Sequence, residues 1–283
     1  MDIVHAPACL SFERPDHPDS PGRIRLASEY LHSLGYTFVE PQMCSEEDLL
    51  RVHSEYHVQR IRDGAFFEVG TPGYKDIYDY ARLAAGGAIM ASERCGFSLM
   101  RPPGHHAGRN FHGGFSYFNN IAVAVARMGR KTLIVDFDGH HGNGTQDIFV
   151  HDPNVQYLSL HTTGFPGTGL TSGSNYANSP FFGQVGDRVY LSNMEALLAG
   201  AGEADMVAVS AGFDAFIDDP LASLGLSREC FFQIGGLIRG LQLPTFCVLE
   251  GGYVPDELGP NIHAFLQGLT GSRMKIQSSG RTP

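Results

Sequence analysis

Short apolar runs recur along the chain, and each run is followed by polar or turn-forming residues. Four of these runs have the length and composition of strands that are buried on both faces of a sheet. They are KTLIVDFD (131–138), NVQYLSLH (154–161), DMVAVSAGFD (205–214) and PTFCVLEGGY (244–253). Each run ends in residues that can carry chemistry, mainly aspartate, histidine and tyrosine.

Helical periodicity precedes and separates these predicted strands. It spans residues 79–94, 119–129, 193–202 and 227–242. Strands that alternate with helices predict an α/β fold with a parallel sheet that is covered by helices on both faces. In such folds a ligand binds beyond the carboxyl ends of the strands, so we expect the polar residues there to form one site.

Length, composition and charge narrow the possible functions. The chain has 283 residues, enough for one large α/β domain or two small ones, and 42% of them are hydrophobic. Its formal net charge of −10 argues against a nucleic-acid-binding protein. The same charge would attract cationic small molecules or lysine-rich peptides. We therefore expect no nucleic-acid partner.

The N-terminal residues and the cysteine spacing predict a cytoplasmic protein. The opening residues MDIVHAPACLSF lack the features of a signal peptide, and no apolar run approaches the ~20 residues of a membrane span. The five cysteines are widely spaced and form no CxxC pair, which is typical of reduced, buried thiols. We therefore expect no contact with a membrane.

The segment VDFDGHHGNGTQ (135–146) predicts a metal site at the end of the first predicted strand. Side chains alternate between the faces of a strand, so Asp136, Asp138 and His140 would share one side while the chain stays extended. Asp138 and His140 then form a ligand pair, with Asp136 behind them. Asp214, at the end of the third predicted strand, is the expected third ligand. Two carboxylates and one imidazole suit zinc, although iron(II) or another divalent ion could also bind.

A second histidine pair, in RPPGHHAG (101–108), is expected to supply bases rather than metal ligands. Adjacent histidines are more often surface or packing residues, but the Pro-Pro-Gly before His105 and His106 stiffens their loop. A zinc-bound water has a pKa of about 7, and an imidazole near it can accept its proton. The other histidine can stay positive or deliver a proton to a leaving group.

The sequence EGGY (250–253) offers a donor for the oxyanion that forms when an amide carbonyl is attacked. Its two glycines would let the phenol of Tyr253 reach over the metal site. Taken alone, Tyr253 would be better interpreted as a buried residue of the core. Its assignment to the site therefore depends on the neighbouring motifs.

Together these residues resemble the histone deacetylase superfamily, which shares its fold with arginase. The matching segments follow one order along most of the chain: HPDSPGRI (17–24), LLRVHSEYHVQRI (49–61), RPPGHHAG (101–108), GFSYFNN (114–120), VDFDGHHGNGTQDIF (135–149), YLSLH (157–161), FPGTG (165–169), SAGFDAFIDDPL (210–221) and LEGGY (249–253). The resemblance implies a three-layer α/β/α fold with a central, mainly parallel eight-stranded sheet. It also implies a single deacetylase domain over residues 1–283, with a flexible tail over about 272–283.

The resemblance implies the same metal and catalytic residues as the motifs. The zinc ligands would be Asp138, His140 and Asp214. His105 and His106 would be the tandem histidines beside the metal water, and Tyr253 would be the oxyanion donor. His105 would be backed by Asp136. Asn143 stands where one branch of the superfamily carries an aspartate, which places the chain with the class II and bacterial amidohydrolases. Without a carboxylate partner, His106 would be the general base.

Substrate and cation sites are implied in the same way. Phe115 and Phe165 match the aromatic pair that walls the tunnel for acyl-lysine, and the carbonyl of Gly114 would meet the substrate amide. The alternative is that both phenylalanines belong to the core. Two structural potassium ions are implied. One would use Asp136, Asp138 and His140 with the backbone of Ser159 and Leu160, and the other would use the backbone near Phe149, Asp152 and Val155.

The expected activity is zinc-dependent removal of an acetyl or related acyl group from acyl-lysine in peptides or proteins. Acetylated polyamines and other acylated small amines are the alternative substrates, but the chain has no insertion of the kind that narrows the entrance in polyamine-specific relatives. The segment VGTPGYKDIYDYA (69–81) is short where many relatives have a longer rim loop with an acidic residue. Neither Asp76 nor Asp79 aligns with that acid, so we expect an open and less selective mouth.

Two other functions fit only parts of the pattern. An arginase-like ureohydrolase would need further carboxylates for a second metal ion, where HHGNG (140–144) supplies a histidine and an asparagine. A non-catalytic reader of acyl-lysine would not need Tyr253, both catalytic histidines and three metal ligands. The residues leave open the oligomeric state, the acyl-chain length and the choice between zinc and iron.

Overall fold

A computed structural model describes residues 1–272, in which eight strands form one sheet. The strands are Ile3–Val4 (β1), Phe38–Val39 (β2), Phe97–Ser98 (β3), Thr132–Asp136 (β4), Val155–Thr162 (β5), Tyr176–Phe181 (β6), Met206–Ala211 (β7) and Thr245–Leu249 (β8). Their order across the sheet is β2-β1-β3-β8-β7-β4-β5-β6, and every pairing is parallel. This confirms the predicted parallel sheet. The predicted flexible tail lies, after Ser272, outside the described residues.

Nine α-helices accompany the sheet within residues 1–272, together with a short 3-10 helix at Pro7–Leu10. They are Pro21–Ser33 (α1), Glu46–Leu50 (α2), Glu55–Arg62 (α3), Ile77–Arg94 (α4), Asn120–Met128 (α5), Asn143–Phe149 (α6), Gly186–Ala199 (α7), Arg228–Gly240 (α8) and Pro255–Thr270 (α9). Side chains of Ser45, Ser54, Asn119 and Ser227 cap four of them by accepting a backbone N–H of the first turn. No helix of the described residues is both long and apolar enough to cross a membrane.

Two hydrophobic cores lie on opposite faces of the sheet. Along β4, Leu133 and Val135 belong to one core and Ile134 to the other, as the alternation of strand side chains requires. The first core contains buried residues of α1, α8 and α9, and the second contains buried residues of α4 and α5. The architecture is therefore the three-layer α/β/α fold that the sequence predicts.

The four strands predicted from apolar runs are β4, β5, β7 and β8. Three of them stop before their predicted ends: β4 at Asp136, β7 at Ala211 and β8 at Leu249. The chain therefore leaves the extended conformation after Asp136, and Asp138 and His140 reach their positions from a loop rather than from the strand. Because β8, β7 and β4 are neighbours, the residues that follow them meet at one edge of the sheet.

Candidate metal centre and catalytic pocket

Asp138, His140 and Asp214 lie together in the loops that follow β4 and β7. Each offers one ligand atom, and these atoms all lie within 4.8 Å of one another. Nδ1 of His140 is 2.8 Å from Oδ2 of Asp214 and 3.2 Å from Oδ1 of Asp138. Both aspartates are buried, whereas the side chain of His140 remains 12% exposed. The structure thus brings the three predicted ligands to one place that solvent can reach.

The hydrogen bonds around these carboxylates are compatible with a bound cation. The backbone N–H of Gly251 donates to Oδ2 of Asp138 at 2.8 Å, and that of Gly139 donates to Oδ1 of Asp214 at 2.7 Å. Oδ2 of Asp214 is buried and lies 2.8 Å from Nδ1 of His140. Burial and the neighbouring Asp138 carboxylate raise the pKa of Asp214, and a divalent cation would offset that repulsion. The donor set, two carboxylates and one imidazole, fits zinc.

His105 is buried among carboxylates. Its Nδ1 lies 3.1 Å from Oδ2 of Asp136, which also accepts a hydrogen bond from the hydroxyl of Tyr157 at 2.9 Å. Its Nε2 lies 3.7 Å from Oδ1 of Asp138. Burial alone would lower the pKa of His105, but the carboxylates of Asp138 and Asp136 outweigh burial and raise the pKa to about 10. This environment favours a protonated, positively charged His105.

His106 has a neutral partner instead. Its Nδ1 is 2.8 Å from Oδ1 of Asn143, the first residue of α6. Because an amide oxygen only accepts hydrogen bonds, Nδ1 carries the proton and Nε2 keeps its lone pair. Burial and the neighbouring positive charge of His105 hold the pKa of His106 well below its ordinary value. A neutral imidazole with a free Nε2 is the form that can act as a general base.

A cavity of about 300 Å³ opens onto this centre. It is lined by Glu68, Gly70, His106, Gly114, Phe115, His140, Phe165, Leu221 and Tyr253. The set includes one candidate metal ligand, one candidate base, the candidate oxyanion donor and all three predicted substrate residues. Apolar side chains with a few convergent polar groups are typical of a small-molecule or side-chain binding pocket.

The aromatic walls of the cavity are fixed by their neighbours. The ring of Phe115 contacts that of Tyr253, with centroids 5.8 Å apart, and the ring of Phe165 contacts that of His106 at 5.2 Å. Phe165 is 54% exposed, which places it towards the mouth. Gly114 has φ +51°, and a Cβ atom there would lie 2.3 Å from the His106 ring. A glycine is therefore required beside the candidate base.

Tyr253 is oriented by two groups that the sequence did not identify. Its backbone N–H donates to Oδ2 of Asp219 at 2.7 Å. The guanidinium of the buried Arg23 lies 4.6 Å from the centre of the tyrosine ring and donates to the carbonyl of Gly252 at 2.6 Å. Burial raises the pKa of Tyr253 well above its ordinary value, so the phenol stays protonated and can donate a hydrogen bond.

Glu250 also escaped the sequence analysis, although it belongs to the EGGY segment. Its Oε2 accepts hydrogen bonds from the backbone N–H groups of Gly104 at 2.7 Å and His105 at 3.1 Å. Its Oε1 accepts from the hydroxyl of Ser210 at 3.2 Å. One buried carboxylate therefore connects the end of β8 to the loop that carries both candidate bases.

Glu68 is a fourth residue that the sequence did not identify. It lines the cavity, which neither Asp76 nor Asp79 does. Its Oε1 accepts from the backbone N–H of Gly70 at 3.1 Å, whereas Oε2 is buried and accepts no hydrogen bond from the described residues. Its signal in the sequence was a lone acid between apolar residues in FFEVG, which resembles an ordinary surface loop.

The two sets of residues implied for potassium differ. In the first set, Ser159 of β5 is the register partner of Asp136 of β4, close to the candidate zinc ligands. In the second set, all three main-chain carbonyl oxygens bind the side-chain amide of Asn175. The first set stays a prediction. The second set also stays a prediction, although an amide nitrogen lies within hydrogen-bonding distance of all three oxygens.

Comparisons with known proteins identify the family of the chain. The model of the family described as "Histone deacetylase domain" matches residues 17–269. A protein of Methanothermobacter thermautotrophicus named "Probable deacetylase" is 38% identical, over 99% of this chain and 93% of that protein. An acetylpolyamine amidohydrolase of Mycoplana ramosa is 35% identical, over 65% of this chain and 59% of that protein. The solved HDA15 HD domain superposes with a TM-score of 0.89 at 32% identity, covering 97% of this chain and 89% of that chain.

Proposed function

The chain belongs to the histone deacetylase family, and from that premise we propose that it is a zinc-dependent amidohydrolase. It removes an acetyl or related acyl group from an acyl-lysine side chain or from a similar acylated amine. The observation that carries this proposal is that His140 of the ligand set, His106 and Tyr253 all line one largely apolar cavity.

The chemistry follows from the roles that these side chains can play. A zinc ion held by Asp138, His140 and Asp214 would supply Lewis acidity and lower the pKa of a water. Nε2 of His106 would accept a proton from the attacking water, whose oxygen would bond to the amide carbon. Tyr253 donates a hydrogen bond to the resulting oxyanion. A histidine then delivers a proton to the nitrogen as the C–N bond breaks, releasing a carboxylate and an amine.

The cavity selects the shape of the leaving amine. A tetramethylene stem can lie between Phe115 and Phe165, where it loses contact with water and gains dispersion contacts with both rings. Gly114 lines the same cavity, and its carbonyl is the expected acceptor for the substrate N–H. This arrangement supports acyl-lysine as the leading class of substrate.

Turnover of a fluorogenic acetyl-lysine amide tests the proposed activity. We expect acetate release by the zinc-loaded protein, loss of release after chelation, and recovery when zinc is returned. Metal analysis should give one catalytic zinc per chain, whereas a two-metal ureohydrolase would hold two manganese ions. A zinc-loaded protein that binds the substrate but never cleaves it would be a reader of acyl-lysine, and the proposed activity would be wrong.

Glu68 supports acylated polyamines as a second class of substrate. Its Oε2 is buried beside the cavity without a hydrogen-bond donor among the described residues, and Glu68 is the only carboxylate that lines the cavity. A carboxylate in this state gains most from a cationic partner. A protonated secondary amine in the tail of an acylated polyamine could supply that partner, as could an N–H of a peptide backbone.

A Glu68→Gln variant distinguishes the two classes of substrate. Loss of the charge should raise KM at least tenfold for an acetylated polyamine but only slightly for an uncharged acetyl-lysine amide, since a hydrogen bond to a charged group contributes about 1.5–3 kcal/mol. Glu195→Gln, an exposed change on α7, is the matched control. Equal effects of Glu68→Gln on both substrates would exclude charge recognition by Glu68.

A further inference from the structure

The side-chain amide of Asn175 binds three main-chain carbonyl groups at the connection between α6 and β5. Its Nδ2 lies 2.7 Å from the oxygen of Phe149, 3.1 Å from that of Asp152 and 3.0 Å from that of Val155. Phe149 ends α6, so its carbonyl is one of those that a helix leaves without an internal partner. These are the oxygens that the family resemblance implied for the second potassium ion.

We propose that Asn175 replaces this cation, so that the α6–β5 connection is held by a neutral amide instead of an ion. All three separations lie in the ordinary range of N–H···O hydrogen bonds. The nitrogen stands where the three oxygens converge, which is the position that an ion coordinated by the same oxygens would need. An amide brings its own N–H groups, so the connection needs no ion from solution.

The amide oxygen of Asn175 helps to decide whether the amide nitrogen or an ion binds the three carbonyl groups. Oδ1 of Asn175 is buried and has no hydrogen-bond partner among the described residues. Rotating the amide by half a turn would direct Oδ1 at three carbonyl oxygens, which only a cation between them could stabilise. Two arrangements would therefore satisfy the three carbonyl oxygens. Either Nδ2 of Asn175 faces them without an ion, or Oδ1 faces them with an ion in between. The short donor–acceptor distances favour the first, since an intervening ion would hold the amide farther away.

The position of Asn175 at the end of α6 connects this amide to the candidate base. The amide anchors the C-terminal end of α6, and Asn143 at the other end of the same helix holds His106. The position of the candidate base should therefore not depend on a monovalent cation at this connection.

An Asn175→Asp variant tests the proposal because it keeps the shape of the side chain but removes the N–H groups. We expect a lower midpoint of thermal unfolding in tetramethylammonium chloride and recovery in potassium chloride of equal ionic strength. The same exchange of salts should change the unfolding midpoint of wild type by several degrees less than that of the variant. Asn154→Asp, an exposed substitution in the same connection with the same change of charge, should behave as wild type. Equal responses of wild type and Asn175→Asp to potassium would overturn the proposal.

Anomalous diffraction from wild-type crystals soaked in thallium(I), which mimics potassium, gives an answer even if the variant does not fold. We expect no anomalous peak within coordinating distance of the carbonyl oxygens of Phe149, Asp152 and Val155. A peak there, with Oδ1 of Asn175 turned inward, would overturn the proposal. Neither measurement uses turnover, so the outcome is independent of the proposed activity.

Discussion

Nδ1 of His106 donates a hydrogen bond to the amide oxygen of Asn143 at 2.8 Å, and this contact leaves the opposite nitrogen of the ring free. Asn143 follows His140 in the same loop and begins α6, so one short segment delivers a candidate metal ligand and orients the candidate base. A charged residue of the same shape at position 143 should therefore change the pKa of His106 while leaving the position of the imidazole unchanged.

Asn143→Asp should move the acidic limb of the pH dependence of kcat/KM to higher pH. A carboxylate next to the imidazole stabilises its charged form, which raises a pKa by about 1–3 units. Fewer molecules then hold a neutral base at neutral pH, and turnover falls there but recovers in alkali. The measurement is the pH–rate profile of both proteins. A profile that does not move would show that His106 is not the titrating base.

Tyr253→Phe should reduce turnover at least a hundredfold, since removal of one oxyanion donor typically costs about 10²–10³ in rate. Zinc content and affinity for a competitive inhibitor should remain near those of wild type, because the hydroxyl is not a predicted ligand. Metal analysis, inhibitor titration and turnover together check this. Near-normal turnover would remove the assigned role from Tyr253.

Asp214→Asn should lose bound zinc and activity together while retaining the fold. The amide keeps the volume of the side chain but lacks the charged oxygen that lies 2.8 Å from Nδ1 of His140. Asp218→Asn, an exposed change in the same loop, is the control and should keep both properties. Zinc bound by Asp214→Asn with wild-type stoichiometry and affinity would mean that another residue is the third ligand.

Asp19→Asn should destabilise the protein in a pH-dependent way. The buried carboxylate of Asp19 lies between two guanidinium groups. Its Oδ1 is 2.6 Å from Nη1 of Arg23, and its Oδ2 is 3.3 Å from Nη2 of Arg101. Burial alone would raise the pKa of Asp19, but the two guanidiniums outweigh burial and lower the pKa. Removing the charge leaves two buried cations uncompensated, which costs on the order of 3–5 kcal/mol at neutral pH.

The sign of this pH dependence follows from the depressed pKa in the folded state. The stability that ionised Asp19 contributes is present above its unfolded-state pKa of about 3.9, and is lost as the pH falls through the folded-state value. Denaturant unfolding should therefore show a large difference between wild type and Asp19→Asn at pH 7 and a smaller one near pH 3. A constant difference would show that the effect does not arise from ionisation.

The parts of the fold that carry long apolar runs could be predicted from the sequence. β4, β5, β7 and β8 are five to eight residues long, so their hydrophobic pattern is visible. β1, β2 and β3 have two residues each, too few for any periodic signal, and only their neighbours in the sheet define them. The prediction for α7 began at 193 rather than Gly186 because Val189, Tyr190 and Leu191 form one consecutive apolar run, which does not show helical spacing.

In the site, side chains in recognisable motifs could be predicted, whereas those that act through the main chain could not. Asp138 and His140 are close in sequence, and their spacing predicts that both bind one metal ion. Glu250 and Asn175 bind backbone groups of distant segments, and a backbone group leaves no mark in the sequence of its partner. Glu68 lies in a loop without periodicity, so only the folded chain brings it to the cavity.

The place of β8 in the sheet has a consequence for biosynthesis. Of the eight strands in residues 1–272 it is the last to leave the ribosome, yet it lies between β3 and β7. The blocks β2-β1-β3 and β7-β4-β5-β6 therefore cannot join until it is inserted. Glu250 and Tyr253 emerge directly after the same strand. A nascent chain should consequently stay catalytically silent until β8 and the residues up to Tyr253 have left the ribosome, and one late insertion would then complete both the sheet and its reactive centre.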